Sequence, residues 1–250
     1  MKTIFITGAN KGIGYAMALE LVLKGSHVII GARDESRGKQ AVKELEALIQ
    51  SSNDPKTKTS KVDFVQIDIS NKASIKQATD TINSKFGSLS LLINNAGIPG
   101  DMHKVGWEFD TEELQTTYNT NFLGTFEVSK LLLNTLKQNK GTILSVSIPI
   151  EPASFFNAFA YQTSKSALNV MTKSWGLSFK TQNIPVTIMA VMPGAVSTDL
   201  NNHVKGDFVK QPEEAAKLIL SFLDDKIDHN GHVINFDGRI ANYMDNNTVK

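Results

Sequence analysis

Two residues with acid–base chemistry stand four positions apart in the second half of the chain, Tyr161 and Lys165. Residues at positions i and i+4 share one face of a helix, so the ammonium group would lie beside the phenol. A free tyrosine has a pKa of ~10, and a neighbouring positive charge lowers that pKa toward the range useful for proton transfer. The pair therefore predicts a tyrosine proton donor that is adjusted by a lysine. The same spacing is common on solvent-exposed helices, so other motifs must decide between the two interpretations.

A glycine-rich segment near the N-terminus indicates what the tyrosine would work with. Gly8, Gly12 and Gly14 follow the apolar run Thr3–Thr7 and open a helical pattern. Glycines in such a turn allow the backbone to approach a pyrophosphate, which then sits at a helix N-terminus. A strand–helix turn without a ligand is the alternative, but a helix pattern, a second strand and the segment Asn94–Gly97 follow in the expected order. The combination predicts a nucleotide-dependent redox enzyme.

The end of the second apolar run indicates which nucleotide is bound. A site for NAD needs an acidic residue there to bind the ribose hydroxyl, whereas this chain has the small Ala32, followed by Arg33. Arg33 and Lys11 supply positive charge for the additional phosphate of NADP, unless both are solvated surface charges. Asp34 lies past the expected contact point. We therefore predict NADP(H) rather than NAD(H).

Short apolar runs that alternate with helical patterns must position these residues. The strand candidates are Thr3–Thr7, His27–Gly31, Asp63–Gln66, Leu89–Asn94, Gly141–Val146, Pro185–Met192 and His232–Asn235. The helix candidates are Ile13–Lys24, Arg37–Gln50, Ile75–Phe86, Thr111–Gln138, Ala158–Thr181 and Pro212–Leu223, and Ser51–Ser60 is expected to be a surface loop or a frayed helix end. Most strands are continuously apolar, as expected when helices cover both faces of a parallel sheet. The pattern predicts an α/β fold, a Rossmann-type doubly wound sheet of about seven parallel strands, in a single domain over residues 1–250.

Composition argues against several other functions. Net charge is +1 over 250 residues, so no excess of positive charge favours nucleic acid or an acidic membrane surface. The absence of cysteine excludes disulfides, thiol catalysis and a cysteine zinc site, and no metal site is expected. No apolar run approaches the ~20 residues of a membrane span, and the N-terminal run is too short for a signal peptide. We expect a cytoplasmic location.

The order and spacing of these motifs resemble the short-chain dehydrogenase/reductase family, from about residue 3 to about residue 237. The segments Asn10-Lys11 and Ala32-Arg33-Asp34 look especially like the carbonyl reductases of that family, which prefer NADPH. The resemblance implies that Asn10, Lys11 and Ile13 join the three glycines at the cofactor. It also implies that Lys165 binds the nicotinamide ribose.

The resemblance implies further cofactor contacts after the third, fourth and sixth strands. Asp68 and Ile69 would hold the adenine, although Asp68 could instead be exposed beside a helix cap. A second set would line the ribose and nicotinamide: Asn94, Ala96, Gly97, Pro193, Gly194, Val196 and Thr198. The Asn94 side chain could also stabilise a turn. Val204–Lys210 would form a mobile lid over the substrate.

Asn121 would complete the proton path that the resemblance implies. In the family an asparagine at this position holds a water that connects the catalytic lysine, here Lys165, to solvent. The alternative is an asparagine that bonds only to neighbouring backbone.

A serine that donates to the substrate carbonyl is the irregular part of the resemblance. The family carries it 13 residues before the tyrosine, and here that position is Ile148, with Ser147 one residue earlier. Ser147 is our candidate, through a one-residue shift in the loop; Ser145 or Ser154 could replace it, or the site could be impaired. Because side chains of a strand alternate between its faces, a one-residue change matters unless the loop has already begun.

The resemblance also suggests a substrate and an assembly. The residues that fall at the family's substrate wall are mostly apolar: Ile98, Trp107, Phe155, Phe156, Phe159 and Met192. They favour a small apolar ketone or aldehyde, and the apolar Ala158–Thr181 helix suggests a homodimer or homotetramer. The prediction is an NADPH-dependent carbonyl reductase. The alternatives are an NADP-dependent alcohol dehydrogenase in the oxidative direction, and a nucleotide-binding sensor or scaffold without turnover.

Overall fold

The chain folds around one parallel β-sheet, described by a computed structural model for residues 1–152 and 156–241. Its strands are β1 (Thr3–Thr7), β2 (His27–Ala32), β3 (Lys61–Gln66), β4 (Leu89–Asn94), β5 (Thr142–Val146), β6 (Thr187–Met192) and β7 (Val233–Asn235). They are hydrogen-bonded in the order β3-β2-β1-β4-β5-β6-β7, and every pair is parallel. The predicted seven-stranded, doubly wound α/β sheet is confirmed.

Helices connect the strands and cover both faces of the sheet. They are α1 (Gly12–Leu23), α2 (Glu35–Ser51), α3 (Pro55–Lys58), α4 (Lys72–Lys85), α5 (Thr111–Tyr118), α6 (Thr125–Gln138), α7 (Phe159–Thr181) and α8 (Pro212–Ser221). Short 3₁₀ turns occur at Gly106–Glu108 and Asp199–Asn201. Among the described residues, none of these helices has the length and apolar character needed to cross a membrane.

Two apolar cores, one on each face of the sheet, hold the helices in place. Alternate residues of β1 point to opposite faces, so Ile4 and Ile6 pack under α1, α2 and α8 while Phe5 packs under α4, α6 and α7. The register pairs Ile4 with Val28 and Phe5 with Ile29, which continues both cores into β2. All of these side chains are fully buried, and each contributes roughly 1.5–3 kcal/mol through removal of apolar surface from water.

The long helix expected over Thr111–Gln138 is interrupted, so that prediction was wrong in one respect. Residues Asn119–Gly124 form a π-helical segment between α5 and α6. A side chain at Gly124 would overlap the backbone carbonyl of Ile69, so the helix here approaches the loop after β3 very closely. A single π-helical turn within a helix changes the spacing of apolar residues too little to be recognised in the sequence. Such turns are frequent at functional sites.

The segment Ser51–Ser60 is more ordered than the expected loop. Asp54 caps α3 by accepting a hydrogen bond from the Lys56 amide at 2.8 Å, and Pro55 occupies the first helical position. Thr57 and Ser60 are buried, and their hydroxyls donate to the carbonyls of Leu23 and Val22. These two bonds attach the segment to the end of α1.

The order of the strands determines where a ligand can bind. The chain runs outward from β1 to β3, then returns to the other side of β1 with β4. Ligands of open α/β sheets bind in the crevice at the carboxyl ends of the strands, at the point where the strand order reverses. In this protein that point lies between the ends of β1 and β4, at Thr7 and Asn94.

Candidate active site

The backbone of the turn after β1 lies in close contact with the loop after β4. Gly8 has a φ of +67°, and a Cβ added there would lie 2.9 Å from Ala96 Cα. A Cβ at Gly14 would lie 2.5 Å from Asn95 Nδ2 and closer still to the Gly8 carbonyl oxygen. Gly12 also has a positive φ, +57°. All three glycines are therefore required by the geometry of the turn itself.

Side chains of the two segments hold this turn rigidly. Thr7 Oγ1 accepts hydrogen bonds from the backbone amides of Asn95 at 3.1 Å and Ala96 at 3.2 Å. In the reverse direction, Asn95 Nδ2 donates to the carbonyls of Thr7 and Gly8, both at 3.1 Å. Asn95 thus has a structural role in the turn that the sequence reasoning did not distinguish from that of Asn94.

Asn94 lies deeper and belongs to the sheet interior. Its Nδ2 donates to Ser129 Oγ at 2.9 Å and, more weakly, to Ser145 Oγ at 3.5 Å. Asn94 is 3% exposed and Ser145 is fully buried. The hydroxyl of Ser145 is therefore buried beside Asn94, which argues against it as a substitute for Ser147.

The N-terminus of α1 opens onto the crevice and suits an anion. Lys11 occupies the N-cap position without a side-chain bond to the helix amides, and the first turn contains no acidic residue. Unsatisfied N–H groups and the helix dipole attract negative charge at such an end. The close glycine cradle and this helix end together fit a dinucleotide pyrophosphate.

Two cations lie near this helix end, and the end of β2 has no acidic residue. Ala32 ends β2 and is buried, and the Arg33 side chain is exposed, with no ion pair to any residue in the described parts of the chain. Lys11 is also exposed, and its Nζ donates to Asp199 Oδ2 on the segment after β6. The absence of an acid at the end of β2 agrees with the sequence pattern.

Asp68 and Ile69 lie in the loop after β3 and face different surroundings. Asp68 is half-buried, and its Oδ1 accepts hydrogen bonds from the Ser70 amide at 2.9 Å and the Ser70 hydroxyl at 2.7 Å. Asn71, not Ser70, caps α4. The Ile69 side chain is part of the apolar core, so only its backbone remains for contact with a ligand.

Tyr161 and Lys165 are buried together on α7. Tyr161 is 9% and Lys165 is 3% exposed, and Lys165 Nζ lies 5.7 Å from the centre of the Tyr161 ring. Lys165 Nζ donates to the Val146 carbonyl, at the end of β5, at 2.8 Å. The structure therefore brings the predicted pair together, inside the protein rather than on a solvent-facing surface.

Burial controls the protonation of both groups. It raises the pKa of Tyr161 to about 12, because the phenolate would lose its hydration. It lowers the pKa of Lys165 to about 8, because the ammonium would lose its hydration. The expected lowering of the Tyr161 pKa by Lys165 was wrong for this state of the protein: desolvation of the phenol has the larger effect, and the ammonium is directed at the Val146 carbonyl.

Asn121, on the π-helical segment, is fully buried and fixed on both sides of its amide. Its Oδ1 accepts from the Ile98 amide at 2.8 Å, and its Nδ2 donates to the Ile98 carbonyl and to Ser164 Oγ, both at 2.9 Å. A Cβ added at Gly97 would lie 3.0 Å from Asn121 Oδ1 and 3.8 Å from Lys165 Nζ. Gly97 therefore leaves the space that brings Asn121 and Lys165 near each other.

Ser147 does not present its hydroxyl to the crevice. It is 1% exposed, and its Oγ donates to Asn169 Oδ1 on α7 at 2.6 Å. A hydroxyl has one proton to donate, so the proton needed to polarise a carbonyl is committed to Asn169. The Ser147 amide donates to the Val191 carbonyl at 2.8 Å, so the sheet ladder continues through this residue, and its role toward a substrate stays a prediction. Ile148, the next residue, is half-buried.

The segment after β6 folds over the glycine-rich turn. Val196 forms a β-bridge with Lys210, the Ser197 amide donates to the Lys210 carbonyl at 2.9 Å, and the Lys210 amide donates to the Ala195 carbonyl at 3.0 Å. Thr198 Cγ2 lies 3.5 Å from the position of a Cβ at Gly12. Gly194, after the buried Pro193, has a φ of +81°. Val204–Lys210, the expected lid, is thus tied at its end to residues 195–197.

The residues expected at a substrate wall are divided between core and surface. Met192 is 4% exposed and packs in a small separate cluster with Ala190 and Val233, whereas Trp107 is 87% exposed in the 3₁₀ turn before α5. Phe159 lies between these extremes and packs against Phe109 at the start of α7. Ser154 and Phe155 lie outside the described residues. Ile98 and Phe156 are half-buried, so the described members of the expected set differ widely in exposure.

Comparison with known proteins agrees with this geometry. A family model described as short chain dehydrogenase matches residues 2–207 of the chain. The chain belongs to the short-chain dehydrogenase family. The protein is therefore an NAD(P)-dependent oxidoreductase that acts on carbonyl or alcohol groups, with a nucleotide cofactor and a small-molecule substrate.

Individual relatives within the family differ in what they reduce or oxidise. The chain is 30% identical to the 3-oxoacyl-(acyl-carrier-protein) reductase FabG of Thermotoga maritima over 255 residues, which cover 96% of this chain and 98% of that protein. It is 38% identical to the carbonyl reductase (NADPH) 3 of Rattus norvegicus over 147 residues, 58% of this chain and 48% of that protein. The family is common to both relatives, but their substrates are not.

Solved structures of the family share the fold. The chain superposes on an NADPH-bound carbonyl reductase from chicken fatty liver with a TM-score of 0.83 and 22% identity, covering 97% of this chain and 99% of the other. It matches an alcohol dehydrogenase from Thermococcus sibiricus, complexed with 5-hydroxy-NADP, with a TM-score of 0.78 and 24% identity over 98% of each chain. At these identities the likeness supports the fold alone.

Three residues of the site were missed from the sequence. Ser164 bonds Asn121, Asn169 bonds Ser147, and Asp199 bonds Lys11. Asn169 could have been found, because it follows Lys165 by one further helical step of four and so shares the face of Tyr161 and Lys165. Asp199 carries no such signal, since its partner is 188 residues away in the chain.

Proposed function

We propose that the protein is an NADPH-dependent reductase of small apolar ketones or aldehydes, in which Tyr161 is the general acid. The observation that carries this proposal is the burial of Tyr161 and Lys165 together at the carboxyl end of β5. The nicotinamide, when bound, supplies the hydride that reduces the carbonyl carbon. The side chains of this protein then have to deliver a proton to the oxygen.

The protonation of Tyr161 fits its proposed role as the proton donor. A pKa of about 12 keeps the phenol protonated at neutral pH, which suits a proton donor. An alcohol dehydrogenase working in the oxidative direction needs the phenolate as a base, and that form is scarce far below its pKa. Because one site catalyses both directions, the ratio of reduced to oxidised cofactor decides which direction runs, and reduction is our proposal.

Lys165 and Asn121 would support the proton transfer from Tyr161. Once Tyr161 has given up its proton, a buried phenolate remains, and the ammonium 5.7 Å from the ring offsets its charge. Asn121 keeps Ile98 and Ser164 in place around Lys165. We propose that Asn121 also lies on the path by which Tyr161 regains a proton from solvent.

The preference for NADP(H) is supported by charge. Arg33 is exposed and unpaired among the described residues, Lys11 lies at the neighbouring turn, and Ala32 offers no acid to a ribose hydroxyl. A ribose phosphate needs cations, and a guanidinium can bind it through two hydrogen bonds. The cofactor contacts proposed for Gly8, Gly12 and Gly14 depend on backbone alone and suit either dinucleotide.

A second candidate function has one observation in its favour. Because Ser147 donates to Asn169 and Ile148 has no hydroxyl, the described residues include no serine at the end of β5 that is free to polarise a carbonyl. Loss of one such donor costs on the order of 10²–10³ in rate. A nucleotide-binding protein with slow or no turnover is therefore the alternative to the reductase.

We also propose that the protein forms a homodimer or homotetramer through α7. The exposed side of that helix carries apolar residues, with Val170 62% and Leu177 65% exposed. Apolar side chains aligned on one helix face commonly mark an interface with a second copy. Sedimentation analysis that found only monomer at micromolar concentration would rule this out.

The experiment that tests the proposed function is oxidation of NADPH and of NADH by the purified protein, with a panel of ketones, aldehydes, quinones and diketones. We expect turnover with NADPH, and a decrease of about 10²–10⁴-fold in Tyr161→Phe, which keeps the ring but removes the acid. Tyr118→Phe, on the exposed side of α5, is the matched control and should retain activity.

Two outcomes would contradict the proposal. Full activity in Tyr161→Phe would exclude the tyrosine as the acid. Binding of NADPH without turnover of any substrate in the panel would favour the alternative of a nucleotide-binding protein.

A further inference from the structure

One ion pair joins the glycine-rich turn to the segment that folds over it. Lys11 Nζ, at the N-cap of α1, donates to Asp199 Oδ2, in the 3₁₀ turn after β6. The opposite oxygen, Asp199 Oδ1, lies 2.7 Å from His203 Nε2. The largest cause that holds the pKa of Asp199 below its usual value is the hydrogen bond from Lys11. Asp199 is therefore negatively charged at neutral pH and tied to this lysine.

The backbone around Asp199 is pre-organised for this contact. The Thr198 amide donates to Asn201 Oδ1 at 3.1 Å, and the His203 amide donates back to the Thr198 carbonyl at 2.9 Å. Asn202 and His203 both have a φ of +54°, which folds the chain into a tight turn. Thr198 itself lies against Gly12. The backbone that carries the carboxylate is thus fixed in a compact turn beside Lys11.

Lys11 is also one of the two cations next to the expected ribose phosphate. The register places Thr7 of β1 opposite Gly31 of β2, and the Ala9 amide donates to the Gly31 carbonyl at 3.0 Å. Lys11 and Arg33 therefore emerge from neighbouring strands at the same edge of the sheet. Arg33 has no acidic partner in the described parts of the chain, whereas Lys11 has Asp199.

We propose that Asp199 determines how strongly the protein distinguishes NADPH from NADH, because it competes with the ribose phosphate of NADPH for Lys11. This inference rests on the proposed function, in which Lys11 and Arg33 bind that phosphate. The phosphate has to approach a lysine whose charge is already offset by a carboxylate, and it meets repulsion from that carboxylate. NADH has no phosphate on this ribose, so its binding is independent of the pair. Removal of the Asp199 charge should therefore strengthen binding of NADPH alone.

Titration of nucleotide fluorescence measures this without any turnover. We expect Asp199→Asn to lower the Kd of NADPH about two- to fivefold, the effect of one solvent-exposed ion pair, and to leave the Kd of NADH unchanged. Lys11→Gln should raise the Kd of NADPH. In a Lys11→Gln protein, the further substitution Asp199→Asn should leave that Kd unchanged. Lys24 and Asp224 provide a matched control pair, because their side chains are 50% and 59% exposed against 51% and 53% for Lys11 and Asp199. Asp224→Asn should change neither Kd.

A charge-preserving variant separates the charge of Asp199 from the shape of its turn. Asp199→Glu should keep the wild-type ratio of NADPH to NADH affinity. The proposal is overturned if Asp199→Glu shifts the ratio as Asp199→Asn does, if Asp199→Asn leaves the ratio unchanged, or if its effect persists without Lys11. Binding of both nucleotides with an unchanged ratio overturns this inference alone, whereas binding of neither overturns the proposed function as well.

Discussion

The turn after β1 and the loop after β5 lie at the same edge of the sheet but are built differently. The first presents backbone to the crevice: Gly8 and Gly14 allow contacts that no side chain would permit, and the Thr7 and Asn95 side chains fix this backbone from behind. The second is held by side chains, since Ser147 bonds Asn169 and Lys165 bonds the Val146 carbonyl.

This difference separates binding from chemistry. A backbone cradle accepts any pyrophosphate, so it suits every nucleotide-dependent relative whatever its substrate. A site made of side chains changes with one residue, and Ile148 stands where the family resemblance leads us to expect a serine. We therefore expect substitutions in the first region to affect nucleotide binding and stability, and substitutions in the second to affect turnover with binding preserved.

Gly14→Ala should give the largest effect in the nucleotide region. The added Cβ would lie 2.5 Å from Asn95 Nδ2 and closer still to the Gly8 carbonyl, so the turn must move. We expect a loss of about 1–3 kcal/mol in the free energy of unfolding, and a decrease on the order of 10² in kcat/KM from the displaced cofactor site. Thermal unfolding and steady-state kinetics measure the two effects.

Gly87→Ala is the matched control for that substitution. The nearest atom to a Cβ there is the Asn83 carbonyl oxygen at 3.7 Å, an ordinary contact, and Gly87 is exposed. It should leave both kcat/KM and stability nearly unchanged. If Gly14→Ala behaved like Gly87→Ala, the turn would be more adaptable than its contacts indicate, and the contrast between the two regions would disappear.

Ser147→Ala and Ile148→Ser should have opposite and smaller effects in the β5 loop. Because the Ser147 hydroxyl donates to Asn169, its removal should lower kcat less than ~10-fold, whereas a carbonyl-polarising serine would cost 10²–10³. It should also lower stability by about 1 kcal/mol, the usual effect of one lost hydrogen bond. Ile148→Ser should raise kcat by on the order of 10-fold by adding a donor. A drop of more than ~10² in Ser147→Ala would restore Ser147 as the donor.

The same contrast explains which features could be predicted from the sequence. Strand β1 and the glycine turn were predictable because an apolar run and three glycines each have one main structural meaning. Tyr161 and Lys165 were predictable because helical spacing alone places them on one face. These features depend on residues that are close in the sequence, so short sequence patterns are enough to predict them.

Features that depend on distant contacts could not be predicted in this way. The partner of Ser147 is on another element, so the sequence left open whether its hydroxyl faced the crevice or α7. The π-helical segment at Asn119–Gly124 depends on the close approach of Gly124 to the Ile69 carbonyl. The raised pKa of Tyr161 depends on burial by the whole fold. Each of these features depends on packing between residues that are distant in the sequence, and the periodicity of apolar residues gives no information about such packing.

The pH dependence of kcat/KM should show the smallest of the expected effects, and it tests one side chain, Lys165, directly. The pKa of Lys165 is lowered to about 8 by burial, so its ammonium is present below pH 8 and lost above it. Tyr161, with a pKa of about 12, stays protonated throughout this range. We therefore expect kcat/KM to be halved near pH 8 and to fall further as pH rises, because the phenolate left after proton transfer loses its compensating charge.

The effect on stability has the opposite sign, which distinguishes it from unfolding. Between pH 8 and the unfolded pKa of 10.5, the unfolded chain holds a proton on Lys165 that the folded protein has released. Stability from this group therefore rises with pH across that window, while activity falls. In Lys165→Arg, which stays charged, any residual activity should lack the decline near pH 8. A decline that persists in Lys165→Arg would assign the titration to another group and contradict this explanation of the pH profile.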